Sequence, residues 1–257
     1  IFLKNSKHRF KIFVHKKKSL KNFIQNSRVK YSNTLKDFLD LKIIIIASPS
    51  RTHLKYLSFF KSKDRYIFCE KPGVTTLKEL SVLNNFKNSE KDKIYFNFNY
   101  IHSELFENLK KLLLNKKYSN LVNVAVNCSH GLYFKNKKIP GRFNNNNIYE
   151  NIFGNLSIHY IHMFIELFKN VSLKYINIIS TNKDNLIDTV VINLIINKKI
   201  NVSLFLSYAS IYNQSMEFYF NNAKIEFIDG KLVEHFPRDN FNKQGKFAPP
   251  NKKILNK

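Results

Sequence analysis

The sequence predicts an α/β fold followed by an α+β fold, and three observations carry the prediction. Apolar runs alternate with helix-like stretches from Phe10 to Phe98, and one of those runs, Ile43-Ile44-Ile45-Ile46, is continuous and β-branched. From Leu121 onward strand-like segments follow one another with one helix among them. Strands alternating with helices at short spacing argue for a parallel, doubly wound sheet. Strands linked by tight turns argue for an antiparallel one.

Each element has its own justification. Phe10–Val14 reads as a strand, and Ser19 caps a predicted helix over Leu20–Asn26 with Leu20, Phe23 and Ile24 at i, i+3, i+4. A short strand at Val29–Tyr31 and a helix at Leu35–Leu39 follow. The run Ile43–Ile46 has the composition of a strand buried on both faces, as in parallel sheets covered by helices on either side. Ala47-Ser48-Pro49-Ser50 ends it, and a helix continues through His53–Leu57. Tyr66–Cys69 is the next strand, turned by Glu70-Lys71-Pro72 into a helix that Thr75-Thr76 opens near Leu77–Phe86. Lys93–Phe98 is the last strand of this half. Doubly wound sheets bind ligands outside the carboxyl ends of their strands. That rule singles out His15–Lys18, Ala47–Ser50, Glu70–Pro72 and Asn99-Tyr100.

Past a helix at Glu104–Leu114 the pattern changes. Leu121–Cys128 is a strand, Ser129–Ile148 a polar loop, and Ser157–Phe168 a helix with an apolar stripe. Strands are expected at Leu173–Ile179, Thr189–Ile196, Ile200–Leu206, Glu217–Phe220 and Lys224–Ile228, with Asn197-Lys198-Lys199 and Asn221-Asn222 as turns between neighbours. After Phe236 the sequence, with Pro249-Pro250 and Lys252-Lys253, reads as loosely ordered. Two domains are therefore expected, residues 1–100 and residues 101–257.

Composition bounds the function. A hydrophobic content of 44% over 257 residues supports real cores. The formal net charge of +25 would suit nucleic acid or an anionic membrane surface, but the lysines are spread along the whole chain. Abundant Lys, Asn, Ile and Phe beside scarce Gly, Pro and Trp read instead as compositional drift. Cys69 and Cys128 have neither metal-ligand nor disulfide-framework spacing, which points to a reducing, cytoplasmic setting. No apolar run approaches the roughly 20 residues of a membrane helix, and no secretory signal is read at the start. The opening residue is Ile1, without an initiator Met, which reads as a cut sequence.

At Glu70-Lys71-Pro72 the sequence resembles the glucose–fructose oxidoreductase and inositol dehydrogenase family of NAD(P)-dependent oxidoreductases. The resemblance continues in order through Ile46–His53, Phe98-Asn99-Tyr100, Ser129-His130-Gly131, Pro140-Gly141-Arg142 and Gly154–His159. It implies a Rossmann-like dinucleotide-binding domain over residues 1–100 and a substrate and oligomerisation domain over residues 101–257. It also implies hydride transfer between NAD or NADP and a secondary alcohol of a sugar, cyclitol or nucleotide-linked sugar. Lys71 and His159 would be catalytic, Lys71 touching the nicotinamide ribose and the substrate hydroxyl, His159 acting as general acid/base. Ala47, Ser48, Pro49, His53, Glu70, Lys71, Asn99, Arg142, His15 and Lys16 would contact cofactor, and a homo-oligomer would form through the C-terminal sheet. The chemistry suits the assignment, because a lysine in a cleft polarises a carbonyl and a histidine titrates near neutral pH.

The residues alone leave alternatives. Lys71 is also readable as a surface lysine in a turn, His53 as bonding backbone, and Arg142 as a solvated loop arginine. His159 and His162, at i, i+3, would suit a metal, but no third ligand falls at a matching spacing, so none is expected. Two departures from the resembled family stand out. The first of the six glycines is Gly73, so the glycine turn that cradles a pyrophosphate does not precede the corner. Residues Ile1–Lys7 align just after that turn, and the first strand, the loop and much of the first helix are expected to be missing. Asn155 stands where the family has an Asp, four residues before the histidine. His15-Lys16-Lys17-Lys18 replaces the acid that holds a ribose 2′-hydroxyl in NAD-preferring folds, which favours NADP. The alternative reading is a non-catalytic remnant or binding protein of the same fold.

Overall fold

The computed structural model describes residues 10–13, 29–131, 151–181, 186–237, 241–248 and 252–255. The predicted helix over Leu20–Asn26 lies outside them. The chain divides into two compact units, Ile1–Gly73 with Lys78–Phe96, and Val74–Leu77 with Asn97–Lys257.

The first unit is parallel throughout. Strands β1 (Phe10–Phe13) and β2 (Val29–Ser32) form one pair, and β3 (Ile43–Ile46), β4 (Tyr66–Cys69) and β5 (Ile94–Phe96) form a second sheet in that order. Among the described residues no ladder joins β1 to β3. Helices α1 (His53–Phe60), α2 (Leu77–Asn84) and α3 (Asn88–Lys91) accompany the sheet. The expected helix at Leu35–Leu39 is a single 3-10 turn over Leu35–Phe38. Polar bonds close that turn early: Ser32 Oγ donates to Asp37 Oδ2 at 2.6 Å and the Thr34 amide donates to Ser32 Oγ at 3.0 Å. Tyr56, Leu57 and Phe60 of α1 pack with Ile44, Ile46, Ile67 and Cys69 into one core, which Phe13 joins edge-on to Phe38 and Tyr56. Arg65 holds the end of α1 by donating to Phe60 O at 2.7 Å and to Leu41 O at 3.0 Å.

The expectation that Ile43–Ile46 is buried on both faces is corrected. Ile44 and Ile46 are 6% and 4% exposed, whereas Ile43 and Ile45 are 66% and 62% exposed. Successive side chains of a strand point to opposite faces, and the core lies against one face only. The other carries Ile43, Ile45, Tyr66, Phe68 and Tyr95, all exposed.

The second unit is an eight-stranded sheet, ordered β13-β12-β11-β10-β6-β9-β8-β7. Its strands are β6 (Leu121–Ser129), β7 (Val171–Ile179), β8 (Thr189–Ile196), β9 (Ile200–Ser207), β10 (Asn213–Phe220), β11 (Ala223–Ile228), β12 (Lys231–His235) and β13 (Lys252–Ile254). All neighbours are antiparallel except β6 and β9. One face packs under α4 (Glu104–Leu114) and α5 (Ile158–Phe168), with Leu109, Met163 and Phe164 against Val124, Val126, Val190, Ile192 and Leu204. Ser103 caps α4 by accepting from the Phe106 amide at 3.2 Å.

The opposite face carries a polar network. Asn193 donates to Asn201 at 2.6 Å and Asn201 to Asn123 at 2.9 Å, across three strands. Beside them Lys224 bridges Glu217 and Glu226 at 3.1 and 3.2 Å, and His235 meets Glu226 at 2.8 Å. The tail expected to be loosely ordered contributes β13 instead, paired with β12. Lys252, Lys253 and Ile254 are all exposed, so an edge strand of three residues leaves no alternation to read.

β12 carries a buried acid in an apolar slot. Glu234 is 1% exposed, and its carboxylate accepts from Lys117 Nζ at 2.5 Å. Lys117→Met is therefore expected to lower stability by about 1–3 kcal/mol, because it strands a buried carboxylate. The double variant Lys117→Met with Glu234→Leu is expected to recover most of the loss. Urea midpoints of the three proteins check this; equal midpoints for the single variant and the parent would show that the pair contributes nothing.

Candidate active-site segments in the two units

The first unit gathers six of the sequence-predicted residues at the carboxyl ends of β3 and β4. Ala47 and Pro49 are exposed and Ser48 half-buried. Their turn closes on itself: the Thr52 amide and hydroxyl both donate to Pro49 O, at 2.8 and 2.7 Å, and Ser48 Oγ lies 2.7 Å from Thr52 Oγ1. Glu70 and Lys71, both half-buried, follow β4 directly, and the Glu70 amide donates to Ile46 O at 2.8 Å. His53 opens α1, is 1% exposed, and has Nδ1 2.7 Å from Pro72 O and Nε2 2.8 Å from Ser48 O.

Two features beside the corner were not foreseen. A Cβ at Gly73 would lie 2.2 Å from the Phe96 ring, so a residue without a side chain is what lets β5 close over the turn. The Cys69 thiol is pushed up to about 12 by burial and then by the Glu70 carboxylate, so it stays a thiol and is no nucleophile.

His159 and Asn99 belong to the second unit. His159, 9% exposed on α5, stacks on Tyr100 at 4.7 Å with 18° between the rings. Tyr100 meets Tyr160 edge-on at 5.3 Å, and both lie close enough to the Cys128 thiol to feel its charge. Burial raises the titration of Tyr100, Tyr160 and Cys128, which keeps all three neutral. Asn99 is exposed on the 3-10 turn Asn99–His102 that presents Tyr100. Asn155 lies in a π-helical turn, Phe153–Ser157, that leads into α5, and its amide donates to Asn151 O at 2.9 Å. His130 leans on Tyr208 at 4.5 Å, and His162 stacks on Phe98 at 4.0 Å with Nε2 3.8 Å from Glu166.

Sequence reading missed Tyr160 and Tyr208, whose roles depend on which ring they reach across the fold; a buried tyrosine next to a candidate histidine was the one available signal. His15, Lys16 and Arg142 lie outside the described residues. Among the described residues no three of His, Cys, Asp and Glu gather as a metal site.

Burial lowers the pKa of both His130 and His162 from 6.5; Glu166 partly opposes the shift at His162 and His102 adds to it. A depressed folded value means that the unfolded chain binds more protons. The stability from keeping these rings neutral is complete above about pH 6.5 and is lost as pH falls through the folded values. The urea midpoint should drop between about pH 7.5 and pH 5.5, and less in the His130→Gln, His162→Gln double variant. An equal drop in both proteins would assign the effect elsewhere.

Residues 3–100 match the model of the oxidoreductase family with an NAD-binding Rossmann fold. Over 128 residues the chain is 27% identical to glucose-6-phosphate 3-dehydrogenase of Bacillus subtilis; the match covers 49% of this chain and 37% of that protein. Among solved structures, KijD10, a 3-ketoreductase from Actinomadura kijaniata in complex with NADP and TDP-benzene, superposes with a TM-score of 0.75 at 11% identity, over 96% of this chain and 76% of that one. An inositol dehydrogenase homolog from Azotobacter vinelandii, complexed with NADH and myo-inositol, gives 0.61 at 14% identity, over 84% and 56%. Both share the fold, a parallel nucleotide-binding half followed by a larger, mostly antiparallel sheet. Residues 3–100 thus match the model of the same oxidoreductase family, with an NAD-binding Rossmann fold, that the sequence resembles.

Proposed function

We propose that the chain is part of an NAD(P)-dependent oxidoreductase that moves hydride between nicotinamide and a secondary alcohol of a sugar, cyclitol or nucleotide-linked sugar. The observation that carries this reading is the Glu70-Lys71-Pro72 corner at the carboxyl end of β4, inside a stretch that matches an NAD-binding family. The matched proteins named above act on or hold glucose 6-phosphate, a TDP compound or myo-inositol, which supports a sugar-like substrate. Two free, buried cysteines fit the cytoplasmic setting, and no helix among the described residues is long and apolar enough to cross a membrane.

The dinucleotide supplies the hydride acceptor. Ser48, Pro49 and Lys71 suit its nicotinamide-ribose end, with hydroxyl, backbone and ammonium groups at two adjacent strand ends. The first glycine of the 257 residues is Gly73. In the proposed reaction His159, the general acid/base that the resemblance implies, takes the hydroxyl proton as the carbinol carbon gives up hydride. Asn155 supplies no carboxylate to stabilise the imidazolium that results.

Calorimetric titration of the chain with NADPH and NADH tests the reading. NADPH should bind more tightly than NADH, and Lys71→Ala should weaken it by about tenfold, the worth of one charge-assisted hydrogen bond. Tighter NADH binding would reverse the cofactor preference. A folded chain that binds neither nucleotide would favour the non-catalytic binding protein, the reading to which Asn155 points.

We also infer a homo-oligomer through the open face of the second unit's sheet, where Phe205 and Tyr175 are exposed beside the asparagine chain. Sedimentation should show a dimer or larger, shifted towards monomer by Phe205→Glu; a monomeric parent sinks the inference.

A further inference from the structure

We propose that His53 is a positioning residue, a two-ended clamp that fixes the Ser48-Pro49 turn against the Glu70-Lys71-Pro72 corner. The proposal deepens the dinucleotide reading and rests on it for its consequence in binding.

The argument starts where the sheet stops. The β3–β4 ladder ends at Ile46 and Cys69, with one further bond from the Glu70 amide to Ile46 O. Beyond that point the two chains leave the sheet as separate turns, and a proline in each, Pro49 and Pro72, has no N–H to give. His53 sits between them on the first turn of α1, with one ring nitrogen 2.7 Å from Pro72 O and the other 2.8 Å from Ser48 O. Carbonyl oxygens only accept, so a neutral ring donates to one of the two through its single N–H and only the imidazolium donates to both. With the ring 1% exposed, water does not compete for those positions.

Its neighbours fit this role. Thr52, adjacent in sequence, folds the Ser48-Pro49 turn back on itself through Pro49 O and Ser48 Oγ. On the other side Phe96 closes over Gly73, directly after the corner. Each turn is thus stiffened locally, and His53 is the side chain that reaches both. Such a clamp sets the separation between Ser48 and Lys71, the two groups proposed to meet the nicotinamide ribose.

Donor-free and two-donor substitutions separate the clamp from simple core packing. His53→Phe keeps a ring of similar size without a donor, His53→Leu is a smaller donor-free variant, and His53→Gln offers two N–H groups on one nitrogen. Hydrogen exchange, measured without nucleotide, reads the amides of Thr52 and Glu70 against that of Ile67, which donates to Lys93 O within the sheet. In the Phe and Leu variants the Thr52 and Glu70 amides should exchange about tenfold faster while Ile67 is unchanged, and Gln should restore slow exchange. Exchange in Phe and Leu equal to the parent, equal acceleration in Phe and Gln, or Ile67 accelerated alongside would each overturn the clamp. If neither donor-free variant folds while Gln folds with slow exchange, the bonds and not the ring volume are what the site needs, in support.

NADPH titration of the same proteins gives the second arm. Affinity should fall about tenfold in Phe, equivalent to one lost fixed contact, and recover in Gln. No binding by the parent or any variant, with the exchange pattern intact, overturns the nucleotide reading and leaves the clamp. Unchanged affinity in Phe alongside altered exchange overturns the positioning role.

Discussion

A parallel ladder holds its strands by evenly spaced backbone bonds and then stops, and what happens at its carboxyl end depends on side chains. In this chain β3 and β4 pair through four residues, Ile43–Ile46 against Tyr66–Cys69. The apolar half of that pairing, Ile44, Ile46, Ile67 and Cys69, is almost fully buried under α1. Everything at the candidate nucleotide end hangs from it. The helix that covers the strands also delivers His53 to the gap where they part, so core and site share one element. Loss of packing at Leu57 or Ile67 would therefore reach the corner without touching it.

The parts of the fold legible in the sequence were those in which a local pattern and the burial agreed. Val124, Val126 and Cys128 alternate with Asn123, Ala125 and Asn127 along β6, so its buried face follows from period two. The run Ile43–Ile46 was legible as a strand and not as a surface, because four isoleucines carry no alternation and only the packing shows which two meet the core. β12 hid for a different reason. Glu234 occupies a slot where the pattern calls for an apolar residue, and the lysine that makes this tolerable lies 117 positions away. Sequence separation, more than chemistry, kept it out of reach.

The site divides in the same way. Glu70-Lys71-Pro72 and the Pro49–His53 segment follow strands closely enough that position along the chain fixed their place. The setting of His159 did not follow. Its ring lies on Tyr100, and Tyr100 is braced by Tyr160, which reaches the thiol of Cys128 on β6. Four residues from three elements build that layer, and a single sequence shows none of those distances.

That layer bears on Asn155. A carboxylate at this position would orient the imidazole and offset its charge together; in this chain the two tasks come apart. Stacking at 4.7 Å with 18° between the rings sets the plane of His159, and the buried, neutral Tyr100 and Tyr160 hold that plane rigidly. Plane is not charge. Neutral phenols supply no anion, and Glu166, about two helix turns beyond His159, lies beside His162. The aromatic layer can thus supply the orienting half of what a carboxylate at this position would give.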